Sequence, residues 1–539
     1  MKRRAFTGAA LGLAGGMVVS GRTGVSGWMT EAVAQESGVQ ANTSQGAGQQ
    51  TAGQLAGGAL VRKPLVLGMV LEPPALDPTA GAAAAIAEVV LYNVFETLVH
   101  VGPKGALTPL LAERWSGSED GLTWTFHLRP GVKFQNGKPC DAAAVKFSFE
   151  RAGRADSVNK DRAFFAAMSS VDVKDAQTLV IRLARPDADF LFMLGQATAV
   201  IVEPSSAAGN GAQPVGTGPY RLASWRRGTS LTLQAWPEFR DASAVSFPQV
   251  TFRFISEPAA QMAALMANEV DVFPRVTERA VARLKANPAW QVVVSGSRAK
   301  TLVAINHRRK VLADVRVRRA IAAAIDRQDA RGVDQRRVVQ GAGQRGHGTP
   351  IGSHYTPDAP GYVDMTAVNA HDPERARALL KEAGVKLPLS LSLTVPPPPY
   401  ARQAAQVVMA QLAKVGIQCR VQQVEWAQWL EGTYRNHDYD LSIISHVEPL
   451  DLGNFTKPDY YWGYRSPRFD ALYRQLVTAV NEKERLDLLA QVQKLLAEDC
   501  VLAWLYQPHW VSVARKSLAG LWDDMPMLVN DLRSMRWVS

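Results

Sequence analysis

Cysteine is nearly absent from this chain of 539 residues. Cys140, Cys419 and Cys500 are the only three, and they are scattered and fit no metal-ligand spacing. That excludes a disulfide-stapled scaffold and a cysteine-zinc module. An odd count cannot pair fully; a Cys419–Cys500 bridge is conceivable, but isolated cysteines of this kind usually serve as small buried hydrophobes. Long apolar runs are missing too. No segment of about 18 apolar residues follows the N-terminal region, so no spanning helix is expected in the mature chain. There is no long basic block interleaved with aromatics, which argues against nucleic acid as a partner. The G-x-S-x-G elbow, the H-E-x-x-H pair and the G-x-x-x-x-G-K-[ST] loop are all lacking. "GAGQRG" at 341–346 matches G-x-G-x-x-G but is followed by "HGTPIGSH", which cannot open a helix, so a dinucleotide site fails on context. The nine histidines are dispersed.

What is present is an ordinary globular composition, 47% hydrophobic and 20% charged, with a formal charge of +11. The length calls for two or three domains or lobes. "MKRRAF", then the uncharged residues 5–21 and the small-x-small site Ala32-Val33-Ala34, read as an export signal cleaved near Ala34. The pair Arg3-Arg4 with Phe6 resembles a twin-arginine signal; a Sec signal is the competing route. No cysteine near the site offers a lipid anchor. Residues 35–62 are rich in Gln, Gly, Ala, Ser and Thr and read as a flexible linker.

The folded part is expected to open at "PLVLGMV", a strand closed by "EPPALDP". "GLTWTFHLRPGVKF" alternates Leu122, Trp124, Phe126 and Leu128 with polar residues, the period of a half-buried strand, with His127 on the polar face. "DAQTLVIRLARP" is another. "PVGTGPYRL" (214–222) is a Gly/Pro junction between domains. From 372 onward helices and strands alternate. Asp372 and Pro373 start a helix that Gly384 ends. "PLSLSLTV" follows, then the amphipathic helix "YARQAAQVVMAQLAKVG", then "IQCRVQQV" and "YDLSII". This order predicts a parallel α/β sheet. "SHVEPLDLGNF" leaves the end of the "YDLSII" strand, where ligands of open sheets sit. It holds His446, Glu448 and Asp451. They match no established metal-ligand spacing, and no metal or cofactor is expected. A solvated loop is the competing reading.

Five ordered segments together resemble the family 5 extracellular solute-binding proteins of ABC importers, the dipeptide-, oligopeptide- and nickel-binding type. They are "EPPALDP", "VFETLVHVGPKGALTPLLAERW", "GLTWTFHLRPGVKFQNGKP", "PVGTGPYRL" and "DVRVRRAIAAAID". "CDAAAVKFS" departs where the family usually carries an acidic residue at the place of Ala144; it reads as a lost surface or capping interaction. The resemblance implies a two-lobed α/β periplasmic binding fold (type II, cluster C-like). Lobe I would span 63–300 with an inserted subdomain at about 96–214, and lobe II 301–504, with a return of 505–539 to lobe I. A hinge would join the lobes and enclose the ligand. It further implies a monomeric periplasmic protein, not an enzyme, that hands a small ligand to an inner-membrane permease and its ATPase. A short peptide is the expected ligand. In peptide-binding members an aspartate in the corresponding loop pairs with the peptide ammonium; here Glu448 falls at that place, with Asp451 as the near alternative. His446, Tyr461 and Trp462 are expected around the ligand, among the aromatics Tyr460 and Tyr464, with Trp426 and Trp429 weaker. Alternatives are a hydrolase using Glu448 and Asp451, or a nickel-chelate, opine or oligosaccharide binder.

Overall fold

The computed structural model describes residues 62–81, 83–276, 284–327 and 348–538. The export signal, nearly all of the linker and the "GAGQRG" match lie outside the described residues. Two large sheets organise the chain. The first orders eight strands as Asp524–Met525, Trp290–Ser297, Trp510–Arg515, Val272–Phe273, Leu65–Met69, Gln249–Phe254, Ser230–Ala235 and Tyr220–Arg226. The second orders six: Gly348–Pro350, Ala503–Pro508, Lys300–Ile305, Leu441–His446, Leu389–Val395 and Ile417–Gln423. Each sheet has its own hydrophobic core, so the molecule is a two-lobed α/β protein. A four-stranded antiparallel sheet, Ala112–Gly117, Thr123–Leu128, Thr178–Leu183 and Met168–Val173, forms the extra subdomain with a separate core. Among the described residues no helix is long and apolar enough to cross a membrane.

The second sheet is mixed. Leu389–Val395 runs parallel to both Ile417–Gln423 and Leu441–His446, whereas Lys300–Ile305 runs antiparallel to Leu441–His446 and to Ala503–Pro508. The wholly parallel sheet expected from the helix–strand alternation is therefore corrected: Lys300–Ile305, the strand that enters from the other lobe, runs against both of its neighbours, and Gly348–Pro350 runs against Ala503–Pro508. The local signals hold. Asp372 accepts from the Arg375 N–H at the start of helix Pro373–Glu382, and Gly384 sits at φ +67° beyond its end. Helix Pro399–Ala413 buries Ala401, Ala404, Ala405, Val408 and Leu412 against the sheet. In Thr123–Leu128 the residues Trp124, Phe126 and Leu128 are buried, as the period of two requires.

Three further points bear on sequence expectations. The helix Ala142–Gly153 is capped by Asp141, which accepts from the N–H groups of Ala143 and Ala144, and Ala144 is buried in the subdomain core. The alanine there is thus a packing residue, not a lost cap or surface contact. Gly216 and Gly218 pass against the main chain of Val94 and Asn93; a Cβ at Gly216 would lie 1.9 Å from the Val94 carbonyl oxygen. Only glycine allows that approach. All three cysteines are free thiols.

The chain passes between the two large sheets at residues 297–300 and again near 508–510. The crossings are tied together. Ser297 Oγ donates to the Pro508 carbonyl (2.5 Å), and Gln507 Nε2 donates to the Ser297 carbonyl (2.6 Å). Arg298 makes a bidentate, buried pair with Asp524 at 2.8 and 2.9 Å. Paired extended crossings of this kind make a hinge between the lobes.

Candidate functional site

Strand Leu441–His446 ends just before Pro449, which has no N–H to give a ladder. The chain then loops to a short 3-10 turn, Leu452–Thr456. Antiparallel register places Lys300, the first strand residue past the crossing, opposite His446. The neighbouring strand Ala503–Pro508 brings Trp504, and the buried segment after Gly348–Pro350 brings His354. Three of these elements therefore converge on one carboxylate, Asp451, and Trp504 stands behind His354.

Asp451 is only 5% exposed. Its Oδ1 accepts from Lys300 Nζ at 2.7 Å. Its Oδ2 lies 2.8 Å from His354 Nε2 and 3.2 Å from His446 Nδ1. Burial alone would raise this carboxyl, but His354, Lys300 and the hydrogen bonds from both imidazoles hold it well below the usual carboxylate range. The tautomers follow from the outer contacts. Trp504 Nε1 can only donate, and it points at His354 Nδ1 (3.2 Å), so His354 carries its proton on Nε2 and gives it to Asp451. Burial pushes His354 down to about 4, keeping it neutral near neutral pH. His446 reaches Asp451 with Nδ1 and the Tyr461 hydroxyl with Nε2 (2.9 Å).

His354, His446 and Asp451 bring their ligand atoms within 4.8 Å of one another, the spacing of a metal site. The proton logic opposes that use. His354 Nε2 is the nitrogen facing Asp451, and its lone pair is taken by the proton that Trp504 forces there. With Lys300 already on Oδ1, the arrangement is a hydrogen-bonded charge hub.

Glu448 sits differently. It is half-buried, and its backbone carbonyl accepts from Lys300 Nζ at 2.5 Å. Its carboxylate accepts from the Val447 N–H at 3.1 Å, and its own main-chain N–H also favours the charged form. Among the described residues, no Lys, Arg or His pairs with that carboxylate, while Asp451 has three such partners. Desolvation raises the Glu448 carboxyl, opposed by the charge of His446 and assisted by that of Asp451. Tyr434 lies near it: burial first, then the Glu448 charge, raises the Tyr434 hydroxyl.

The aromatic residues form a continuous cluster. Tyr434 meets Tyr460 edge-on at 5.7 Å, Tyr460 packs on Trp462 at 4.4 Å, and Trp462 stacks on Phe455 at 4.7 Å. Tyr461 lies parallel to the His446 ring at 6.1 Å. The structure thus gathers His446, Asp451 and Tyr461 into one hydrogen-bonded chain, and Trp462 into the packing behind it. Asp451, expected as the alternative partner for a ligand amine, is occupied by protein donors. Tyr461 and Trp462 are fully buried rather than lining open space, because their rings complete the lobe's core. Trp429 is buried there as well, its Nε1 donating to Ser442 Oγ (2.9 Å), and Trp426 is partly exposed beside it. Sequence reasoning missed Lys300, His354 and Trp504. One signal for Lys300 was present: it is a lone charge opening the apolar run "KTLVAI", all six residues of which are buried.

The family model "Bacterial extracellular solute-binding proteins, family 5 Middle" matches residues 106–466. The chain belongs to that family of solute-binding proteins. It is 31% identical over 502 residues to "Di/tripeptide-binding protein 4" of Pseudomonas aeruginosa (strain UCBPP-PA14), covering 85% of this chain and 92% of that one. It is 29% identical over 492 residues to the "Dipeptide-binding protein" of Escherichia coli (strain K12), covering 82% and 88%. Among solved structures, the ABC transporter substrate-binding protein CtaP of Listeria monocytogenes shares the fold. That match has a TM-score of 0.78 and 18% identity, covering 88% of this chain and 99% of that one.

Proposed function

We propose that this protein captures a short peptide between its lobes through the peptide's free ammonium group, with Glu448 as the charge partner, and delivers it to an ABC permease and its ATPase. The observation that carries the reading is the contrast between two carboxylates on one loop. Asp451 is saturated by protein donors; Glu448, partly exposed and beside Tyr434, has no cationic partner among the described residues. An enclosed carboxylate without a counter-charge is costly, and an ammonium ligand relieves that cost. The names of two relatives, a dipeptide-binding and a di/tripeptide-binding protein, point to the same ligand class. Peptide main chain can be held by backbone hydrogen bonds that ignore side-chain identity. Tyr460 Oη and Trp462 Nε1 are buried without a partner among the described residues, which leaves polar capacity in the aromatic cluster behind the loop.

The remaining parts of the reading rest on sequence. The chain is exported to the periplasm with cleavage near Ala34, acts as a monomer, and returns its ligand unchanged. Residues 63–299 and 509–539 are taken as lobe I, with the subdomain at about 96–214, and 300–508 as lobe II, because Lys300–Ile305 and Ala503–Pro508 are strands of the second sheet. The test is calorimetry with alanyl-leucine and N-acetyl-alanyl-leucine on wild type and Glu448→Gln. Removing one partner of an enclosed charge pair costs about 2–5 kcal/mol. Binding of the free-amine peptide should therefore weaken roughly 30- to several-thousand-fold. The acetylated peptide has no charge to strand and should lose far less. Equal losses for both would mean that Glu448 shapes the loop and does not read the amine.

A further inference from the structure

Lys300 is 2% exposed, and two of its three donors are accounted for. One goes to Asp451 Oδ1 and one to the main-chain carbonyl of Glu448 itself. Its place in the chain matters equally. Arg298, two residues earlier, is clamped to Asp524 of the first sheet, and only the buried Ala299 separates that clamp from Lys300. The segment that crosses between lobes thus ends, on the second lobe's side, in an ammonium that grips the Glu448 loop at two points.

The charge balance gives this grip a second consequence. Lys300 cancels Asp451, and burial keeps His354 neutral while the Trp504 donor fixes its tautomer. Glu448 is left without a cation in contact among the described residues; the fields of His446 and Lys300 oppose its desolvation only from a distance. Without Lys300, two carboxylates three residues apart would share a desolvated pocket. Like charges raise one another's proton affinity, so Glu448 would take up a proton and lose its attraction for a cation.

We infer that Lys300 is a positioning residue for ligand recognition: it fixes the Glu448 loop to the hinge and keeps Glu448 the single charge that a ligand ammonium meets. This rests on the Glu448 reading above. The two are separated by calorimetry on wild type, Glu448→Gln, Lys300→Met and the double variant, each with alanyl-leucine and N-acetyl-alanyl-leucine. The quantity read is the ratio of the two affinities. Lys300→Met should lower that ratio about tenfold or more, and should change it no further in the Glu448→Gln background, because coupled residues are not additive. A purely structural Lys300 would weaken both peptides equally and add fully in the double variant; that result overturns the inference. An unchanged ratio in Glu448→Gln overturns the underlying reading and this inference with it. A changed ratio there with an unchanged ratio in Lys300→Met overturns the inference alone. Should Lys300→Met fail to fold, Lys300→Met/Asp451→Asn removes both charges together. Hydrogen exchange in that protein should quicken across residues 447–455 and stay unchanged in Leu389–Val395. Unchanged exchange across the loop refutes the tether.

Discussion

Replacing Asp451 by alanine is the severest single change the site allows. It removes one acceptor group and strands three donors: the Lys300 ammonium, the His354 Nε2–H and the His446 Nδ1–H. Breaking a buried ion pair from one side costs about 3–5 kcal/mol. Each unsatisfied buried N–H adds roughly 1 kcal/mol or more, less where His446 switches tautomer or water enters the vacated space. A loss of about 4–6 kcal/mol is expected, comparable with the whole stability of many domains, about 5–15 kcal/mol. Urea unfolding followed by tryptophan fluorescence reads it, because Trp462 and Trp504 flank the hub. The double variant Asp451→Ala/Lys300→Met, which removes both members of the buried ion pair, should recover about half of the loss. A single variant that loses less than about 1 kcal/mol would refute the hub as a structural centre, since even one stranded donor costs that much.

Acid should weaken the fold before most carboxylates titrate. Burial depresses His354 to about 4 and His307 to about 3. Their folded values lie below the unfolded value of about 6.5, so the stability they confer is complete above that pH and is lost as pH falls through the interval. Two such groups give a slope of about 2.7 kcal/mol per pH unit from roughly pH 6 to 4.5; urea midpoints that stay flat there would contradict the assignment. Asp451, held low, extends the loss at still lower pH. Ligand binding should release protons, since Glu448 is raised by desolvation when no cation faces it and an arriving ammonium draws it down. Calorimetry of alanyl-leucine in buffers of different ionisation heat would show this release at pH values above the ordinary glutamate range, with affinity rising with pH there; no buffer dependence in that range would count against Glu448 as the partner.

Local chemistry was legible in the sequence wherever neighbours along the chain decide it. Asp372, Pro373 and Gly384 announced their helix because capping depends on residues three or four apart. Trp124, Phe126 and Leu128 announced their strand for the same reason. The Glu448 loop could be found because Pro449 ends a run of apolar residues. Its electrostatics could not. Lys300 and Asp451 are 151 residues apart and His354 and Asp451 97 apart, and only the pairing of strands from two crossings brings them together. From sequence Glu448 and Asp451 looked interchangeable; the hub distinguishes them. Ala144 shows the same limit, since burial against the subdomain core and not its place in a helix turn explains a small residue there.

The most direct measurement is mass spectrometry of the ligand that leaves the protein when material purified from the periplasm without denaturant is unfolded in acid. A short peptide with a free α-ammonium group, absent from Glu448→Gln prepared in parallel, is the predicted result. A carried ligand without an ammonium group, such as a neutral oligosaccharide, would contradict the account.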